Sequence, residues 1–131
     1  MEPSIFAKII QGEIPAHKVY EDERTLAFLD IYPTVPGHVL VIPKAQVDRM
    51  EDLDETDYRA LTDTVHKVMR RVVEVYGPEY RACLKVIGFD VPHAHVHVMP
   101  CRSGQEFHRV NPGTDEPDHQ ALTAEAQKIA F

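Results

Sequence analysis

The spacing of hydrophobic and polar residues changes period several times along the chain, and each change predicts an element. Ile5, Phe6, Ile9 and Ile10 recur at helical spacing behind Ser4, whose hydroxyl suits a helix start. Gly12 suits the left-handed turn that ends such a helix, and Pro15 opens an extended segment. Residues 17–21 and 25–31 read as a hairpin, because β-prone Val19, Tyr20, Leu26 and Phe28 flank the polar turn Asp22-Glu23-Arg24. Tyr32 to Gly37, with two prolines, reads as a loop. From His38 to Pro43 the run is continuously apolar, which predicts a central strand buried on both faces.

Asp54 caps the longest predicted helix, over 55–76. Its Leu61, Val65, Val68, Val72 and Val75 share one face while Arg70, Arg71 and Glu74 face water. Gly77-Pro78 stops it. Two further strands are predicted over about 80–88 and 93–99, and a last helix near 118–130 carries Leu122, Ala126 and Ile129 on one side. Strands separated by a few helices predict an α+β fold with a five-stranded, largely antiparallel sheet. No repeat, low-complexity tract or linker divides the 131 residues, so the chain reads as a single unit over 1–131.

The net charge of −7 argues against a broad grip on DNA or RNA, which needs many cations facing phosphates, but leaves room for a small anion in a local pocket. Glu2 stands where a signal peptide carries basic residues, and no apolar run approaches the length of a bilayer span, so a cytoplasmic protein without a membrane partner is expected. Cys83 and Cys101 lie in or beside apolar strand-like runs and are expected to be free thiols.

The chemistry concentrates in His93-Ala94-His95-Val96-His97-Val98-Met99. On a strand this alternation puts three imidazoles on one face, successive ones about 6.6–6.8 Å apart, and Ala94, Val96 and Val98 on the other. Imidazoles so arrayed offer donors, acceptors and an unprotonated nitrogen able to attack phosphorus. A solvated histidine stripe is the plainer reading. A metal site is another, since His-x-His is a common ligand pair, but no carboxylate or cysteine motif completes its shell.

The same segment resembles the His-φ-His-φ-His-φ-φ signature of the histidine triad superfamily, where φ is apolar. The resemblance extends, in the family's order, to Ile5–Ile10, Gly12–Pro15, Ala27–Ile31 and Pro36–Lys44, covers most of residues 4–100, and is closest to the Hint-like branch and its bacterial relatives. It implies a nucleotide hydrolase or transferase, of the nucleoside phosphoramidase or dinucleoside polyphosphate hydrolase kind, working through a nucleotidyl-histidine intermediate without metal or other cofactor. By resemblance His95 is the nucleophile, His97 binds a phosphate oxygen or the leaving group, His93 orients the centre, and His38 tunes its protons. Ile5, Phe6, Ile9, Phe28, Leu29 and Ile31 would surround the purine of an AMP or GMP conjugate, and Asp30 would accept from the ribose hydroxyls. A homodimer joined through helix and strand edge is also implied.

The sequence departs from that pattern in the run Leu84-Lys85-Val86-Ile87-Gly88-Phe89-Asp90-Val91-Pro92. It is shorter than the glycine-rich loop of many relatives and lacks the loop's Asn and Gly-Gln. Gly88 still offers a backbone N–H to phosphate, whereas Asp90 repels one unless it turns away or meets the leaving group. Lys85 reads either as compensating charge or as a solvated strand lysine. Ser4, Ala7 and Gln46 stand where zinc-carrying relatives place Cys, Cys and His, so no zinc site of that type is expected. The tail over 101–131 matches no family motif. Two alternatives to the enzyme remain: a nucleotide-binding regulatory module with little catalysis, and a metal-dependent hydrolase using the same histidines.

Overall fold

The computed structural model describes residues 2–113 and 115–131. A five-stranded sheet is its centre: β1 (Lys18–Glu21), β2 (Thr25–Leu29), β3 (Val39–Pro43), β4 (Arg81–Lys85) and β5 (Val96–Cys101), in the spatial order β1-β2-β3-β5-β4 with every neighbouring pair antiparallel. The apolar run of β3 takes the middle place, and all five of its residues are buried. That follows from its composition, since only a strand covered on both sides sustains an unbroken Val-Leu-Val-Ile sequence.

The pleat divides the sheet into two chemical faces. Ala27 and Leu29, Val39 and Val41, and Val96 and Val98 point to one side, where they pack on the long helix. That helix, α2 (Glu55–Tyr76), begins at Asp54, whose carboxylate accepts from the Asp57 N–H, and buries Leu61, Val65, Val68 and Val72 against the sheet. Leu26, Phe28, Leu40 and Ile42 point to the other side, where Phe6 and Ile9 of the short helix α1 (Ile5–Ile10) cover them. Val75, expected on the buried stripe of α2, is only half-buried, and Thr64 takes a buried place through a 2.7 Å hydrogen bond to Thr25 of β2.

Two predicted boundaries are corrected. The strand expected over 80–88 ends at Lys85, and the strand expected over 93–99 is shifted to Val96–Cys101. Between them the chain bends, with the His93 N–H donating to the Val91 carbonyl at 2.8 Å and the Ala94 N–H to that of Val47 at 2.7 Å. These bonds capture the backbone that alternation alone assigns to a ladder.

The tail is part of the packed structure. After the one-turn helix α3 (Gly104–Phe107), α4 (His119–Ile129) lays Leu122, Ala126 and Ile129 against α2 and the sheet. Arg71 Nε donates to the Ile129 carbonyl at 2.7 Å, the Phe131 N–H donates to the Val19 carbonyl, and the Phe131 ring stacks on Tyr20 with centroids 4.9 Å apart. Cys83 and Cys101 are free thiols, half-buried and buried. No helix among the described residues is long and apolar enough to cross a membrane. Ile129, fully buried, tests the docking: Ile129→Ala should lower unfolding free energy by about 2–5 kcal/mol. An unchanged urea midpoint would show α4 to be dispensable.

Candidate active site

The face of the sheet opposite α2 carries the polar chemistry. A row of paired residues, Phe28↔Leu40↔His97↔Lys85, crosses four strands in register. Paired residues in adjacent strands project to the same side, so an apolar wall passes without interruption into an imidazole and an ammonium. Above this row lies a cavity of about 510 Å³, a size suited to a small-molecule ligand.

The nine residues expected around a nucleotide all line it. Ile5, Phe6 and Ile9 come from α1, Phe28, Leu29, Asp30 and Ile31 from the end of β2, and Gly88 and Asp90 from the loop after β4. His95 and His97 also line it, whereas His93 and His38 do not. Pro15, Tyr32, Leu40, Ile87 and Phe89 complete walls that the motifs did not reveal. Phe89 is 91% exposed at the loop tip, where nothing in its apolar character marked it as a wall of a site.

Three imidazoles sharing one strand face is the expectation that fails. His93 lies before β5 and is fully buried, turned into the protein. Its Nε2–H donates to the Pro43 carbonyl at 2.7 Å, which leaves Nδ1 to accept from the Ser4 hydroxyl at 2.8 Å. The same Ser4 oxygen accepts from the Ala7 N–H at 2.9 Å and so caps α1. Burial, against the weaker opposing effect of the Pro43 carbonyl, lowers the His93 pKa and keeps the ring neutral. Ser4 was legible only as a helix cap; its second bond spans 89 residues of sequence.

Fixed backbone groups decide the other tautomers too. His95 Nδ1–H donates to the His93 carbonyl at 2.8 Å, so the neutral ring keeps its lone pair on Nε2. The edge of Phe6 stands against that ring, centroids 5.1 Å apart. The Thr34 N–H donates to His38 Nδ1 at 3.0 Å, so His38 holds its proton on Nε2 and donates it to His97 Nδ1 at 2.8 Å. His97 in turn carries its proton on Nε2. A carrier of an Nε2 lone pair and a carrier of an Nε2–H thus stand side by side, ring centroids 5.2 Å apart.

Gly37 delivers His38 to this place. It has φ +84°, and a Cβ there would lie 2.8 Å from Tyr76 and 2.9 Å from Pro100. Asp30 accepts from the Tyr32 N–H through Oδ1 and lies 3.7 Å from His38 Nε2 through Oδ2. Desolvation raises its pKa, against the Tyr32 N–H and the nearby His95 and Lys85. Desolvation also lowers His38 to about 3, helped by His97 and Lys85, and His97 to about 4, helped by His95 and Lys85.

As to metals, the three alternating histidines do not converge, because His93 faces away. The group among the described residues with three mutually close donors is Asp30, His38 and His97, whose donor atoms lie within 4.8 Å of one another. Its two imidazoles are hydrogen-bonded to each other, His38 Nε2–H donating to His97 Nδ1.

A histidine-bearing cavity on one face of an antiparallel five-stranded sheet, closed by a short helix, is the architecture of the histidine triad class. The chain belongs to the HIT domain family, whose model matches residues 11–104. It is 39% identical over 103 residues to an uncharacterized HIT-like protein of Methanocaldococcus jannaschii, covering 76% of this chain and 80% of that one. It is 38% identical over 100 residues to an adenosine 5'-monophosphoramidase of Schizosaccharomyces pombe, covering 73% and 72%. Among solved structures, a Hit-like protein of Bartonella henselae superposes with a TM-score of 0.78 at 31% identity, over 96% of this chain and 93% of that one.

Two predictions follow from the geometry. Ser4→Ala removes a cap and leaves His93 Nδ1 without its donor, so it should cost about 1–3 kcal/mol in urea unfolding and change the ¹⁵N shift of that ring nitrogen; an unmoved shift would dismiss the bond. His38, His93 and His97 bind protons less readily folded than unfolded. The unfolded chain therefore holds more protons below the ordinary value of 6.5, and their contribution to stability is complete above that pH and lost as pH falls toward about 4 and then 3. The urea midpoint should be lower at about pH 5 than at about pH 7, and His38→Gln should flatten the difference.

Proposed function

We propose that the protein is a nucleotide hydrolase or transferase that cleaves at the α-phosphate of purine nucleoside phosphoramidates, or of related adenylated or dinucleotide substrates, such as AMP and GMP conjugates. The observation that carries this reading is the complementary pair of tautomers, an Nε2 lone pair on His95 beside an Nε2–H on His97, at the mouth of a nucleotide-sized cavity. The name of the fission-yeast relative, a monophosphoramidase, supports the same class.

In this reading the base sits among Phe6, Ile9, Phe28 and Leu29, and Asp30 accepts from the ribose hydroxyls. His95 Nε2 attacks phosphorus, the bond from phosphorus to the leaving nitrogen breaks as the Nε2–P bond forms, and the leaving amine departs with a proton from solvent. His97 Nε2–H donates to a phosphoryl oxygen as charge develops there. Water then attacks phosphorus, releasing the nucleoside monophosphate, the free imidazole and a proton. No cofactor enters these steps. His93 is a positioning residue, acting through the carbonyl that orients His95.

We read the chain as one unit, a cytoplasmic homodimer paired through α2 and the open edge of β4, since a paired edge hides its ladder from other chains. One feature favours a second reading, a nucleotide-binding regulatory module: Asp90 brings a like charge to the phosphate side of the cavity.

Single-turnover hydrolysis of an adenosine phosphoramidate in EDTA separates these readings, with mass spectrometry to trap protein-bound AMP. Wild type should form the adduct with EDTA harmless; His95→Ala should form none and lose on the order of 10³-fold or more in rate. His97→Asn should lose about 10²-fold while retaining the adduct. Binding of AMP without adduct or turnover points to the regulatory module, and loss of activity in EDTA to the metal-dependent hydrolase.

A further inference from the structure

Among the residues lining the cavity, Lys85 supplies the positive charge. The other ionisable groups there are the carboxyl groups of Asp30 and Asp90, the imidazoles of His95 and His97 and the phenol of Tyr32. The nucleoside monophosphate that the proposed reaction releases, a phosphate monoester, brings about −1.5 to −2 charges at neutral pH. His97, kept neutral at that pH by burial, adds an Nε2–H donor without charge. A doubly charged anion beside two carboxyl groups needs a cation.

Strand register holds Lys85 where that cation is needed. Lys85 is the last residue of β4 and is paired directly with His97 of β5, so its side chain rises from the same face of the sheet one strand away. It is half-buried, and among the described residues it makes no ion pair. Its ammonium instead lies 6.0 Å from the ring centroid of Phe107 in α3, the outer reach of a cation–π contact. The tail thereby borders the lysine on the side away from its strand. Its field reaches the centre, where it contributes to lowering His38 and His97.

Resting on the nucleotide-cavity reading above, we infer that Lys85 is the phosphate-binding cation of this site: its ammonium holds the α-phosphate, in substrate and in the monophosphate product, beside His97, where the short loop after β4 offers backbone N–H groups but no basic side chain. A lysine suits this place because an ammonium is a point charge with three donors on a flexible stem and follows the phosphate through the displacement. In a partly desolvated cavity that attraction exceeds its value on an open surface.

Calorimetric titration of the full chain with AMP, adenosine and inorganic phosphate tests this in wild type, Lys85→Met and Lys85→Arg. Wild type should prefer AMP to adenosine. Lys85→Met should weaken AMP by about 10- to 100-fold and leave adenosine within about twofold, and Lys85→Arg should recover most of the loss. The His97 ring, relieved of a neighbouring positive charge, should titrate at higher pH in Lys85→Met. Inorganic phosphate alone should bind more weakly than AMP and show the same dependence on Lys85. If Lys85→Met binds AMP as wild type does while adenosine is also unchanged, Lys85 is a solvated strand lysine and the inference falls with the cavity reading intact. If wild type binds neither AMP nor adenosine, the cavity reading itself fails.

Discussion

The pairing of β5 between β3 and β4 fixes the side of the sheet on which each functional group stands. Because side chains alternate at every residue, a slip of one position would exchange Val96 and Val98, which face α2, for His97, which faces the cavity. The buried valines prevent that slip. Moving an imidazole into the hydrophobic layer under α2 and two valines into a polar site costs both hydrophobic burial and an unpaired polar ring. The apolar core therefore holds the register of the cavity face as firmly as it holds the fold.

On that frame, the imidazoles are ordered by backbone groups rather than by carboxylates. The carbonyls of Pro43 and His93 and the N–H of Thr34 each have one possible polarity, and each assigns a tautomer to the ring it meets. Side chains extend those assignments, from His38 to His97 and from Ser4 to His93. Burial disfavours the charged forms of His38, His93 and His97, so these three rings meet near neutral pH as neutral donors and acceptors. Desolvation is the leading cause in all three lowered histidines, so exclusion of water and tautomer control act together.

Elements far apart in sequence meet at this centre. Ser4 begins α1 and also reaches His93; Gly37 makes the close approach to Tyr76 and Pro100 that brings His38 under His97; Phe107 in the tail borders Lys85. The tail that carried no recognisable motif closes the α2 side through α4 as well. The tail thus contributes α4 to the layer that stabilises the sheet and Phe107 to the surroundings of the cavity lysine.

The sequence alone determined the elements whose period is strong. The 22 residues of α2 and the central place of β3 follow from a helical stripe and from an apolar run without alternation. Seven of the cavity-lining residues, in Ile5–Ile10 and Ala27–Ile31, were legible through ordered motifs, because those motifs preserve local side-chain placement. Only the tertiary structure decided what depends on distant partners. Strict alternation could not show that His93 leaves the strand, since its captors, the Ser4 hydroxyl and the Pro43 carbonyl, lie 89 and 50 residues away. Nor could local pattern decide between a solvated and a site lysine at Lys85. That depended on pairing with His97 and on which face of β5 the buried valines had already claimed.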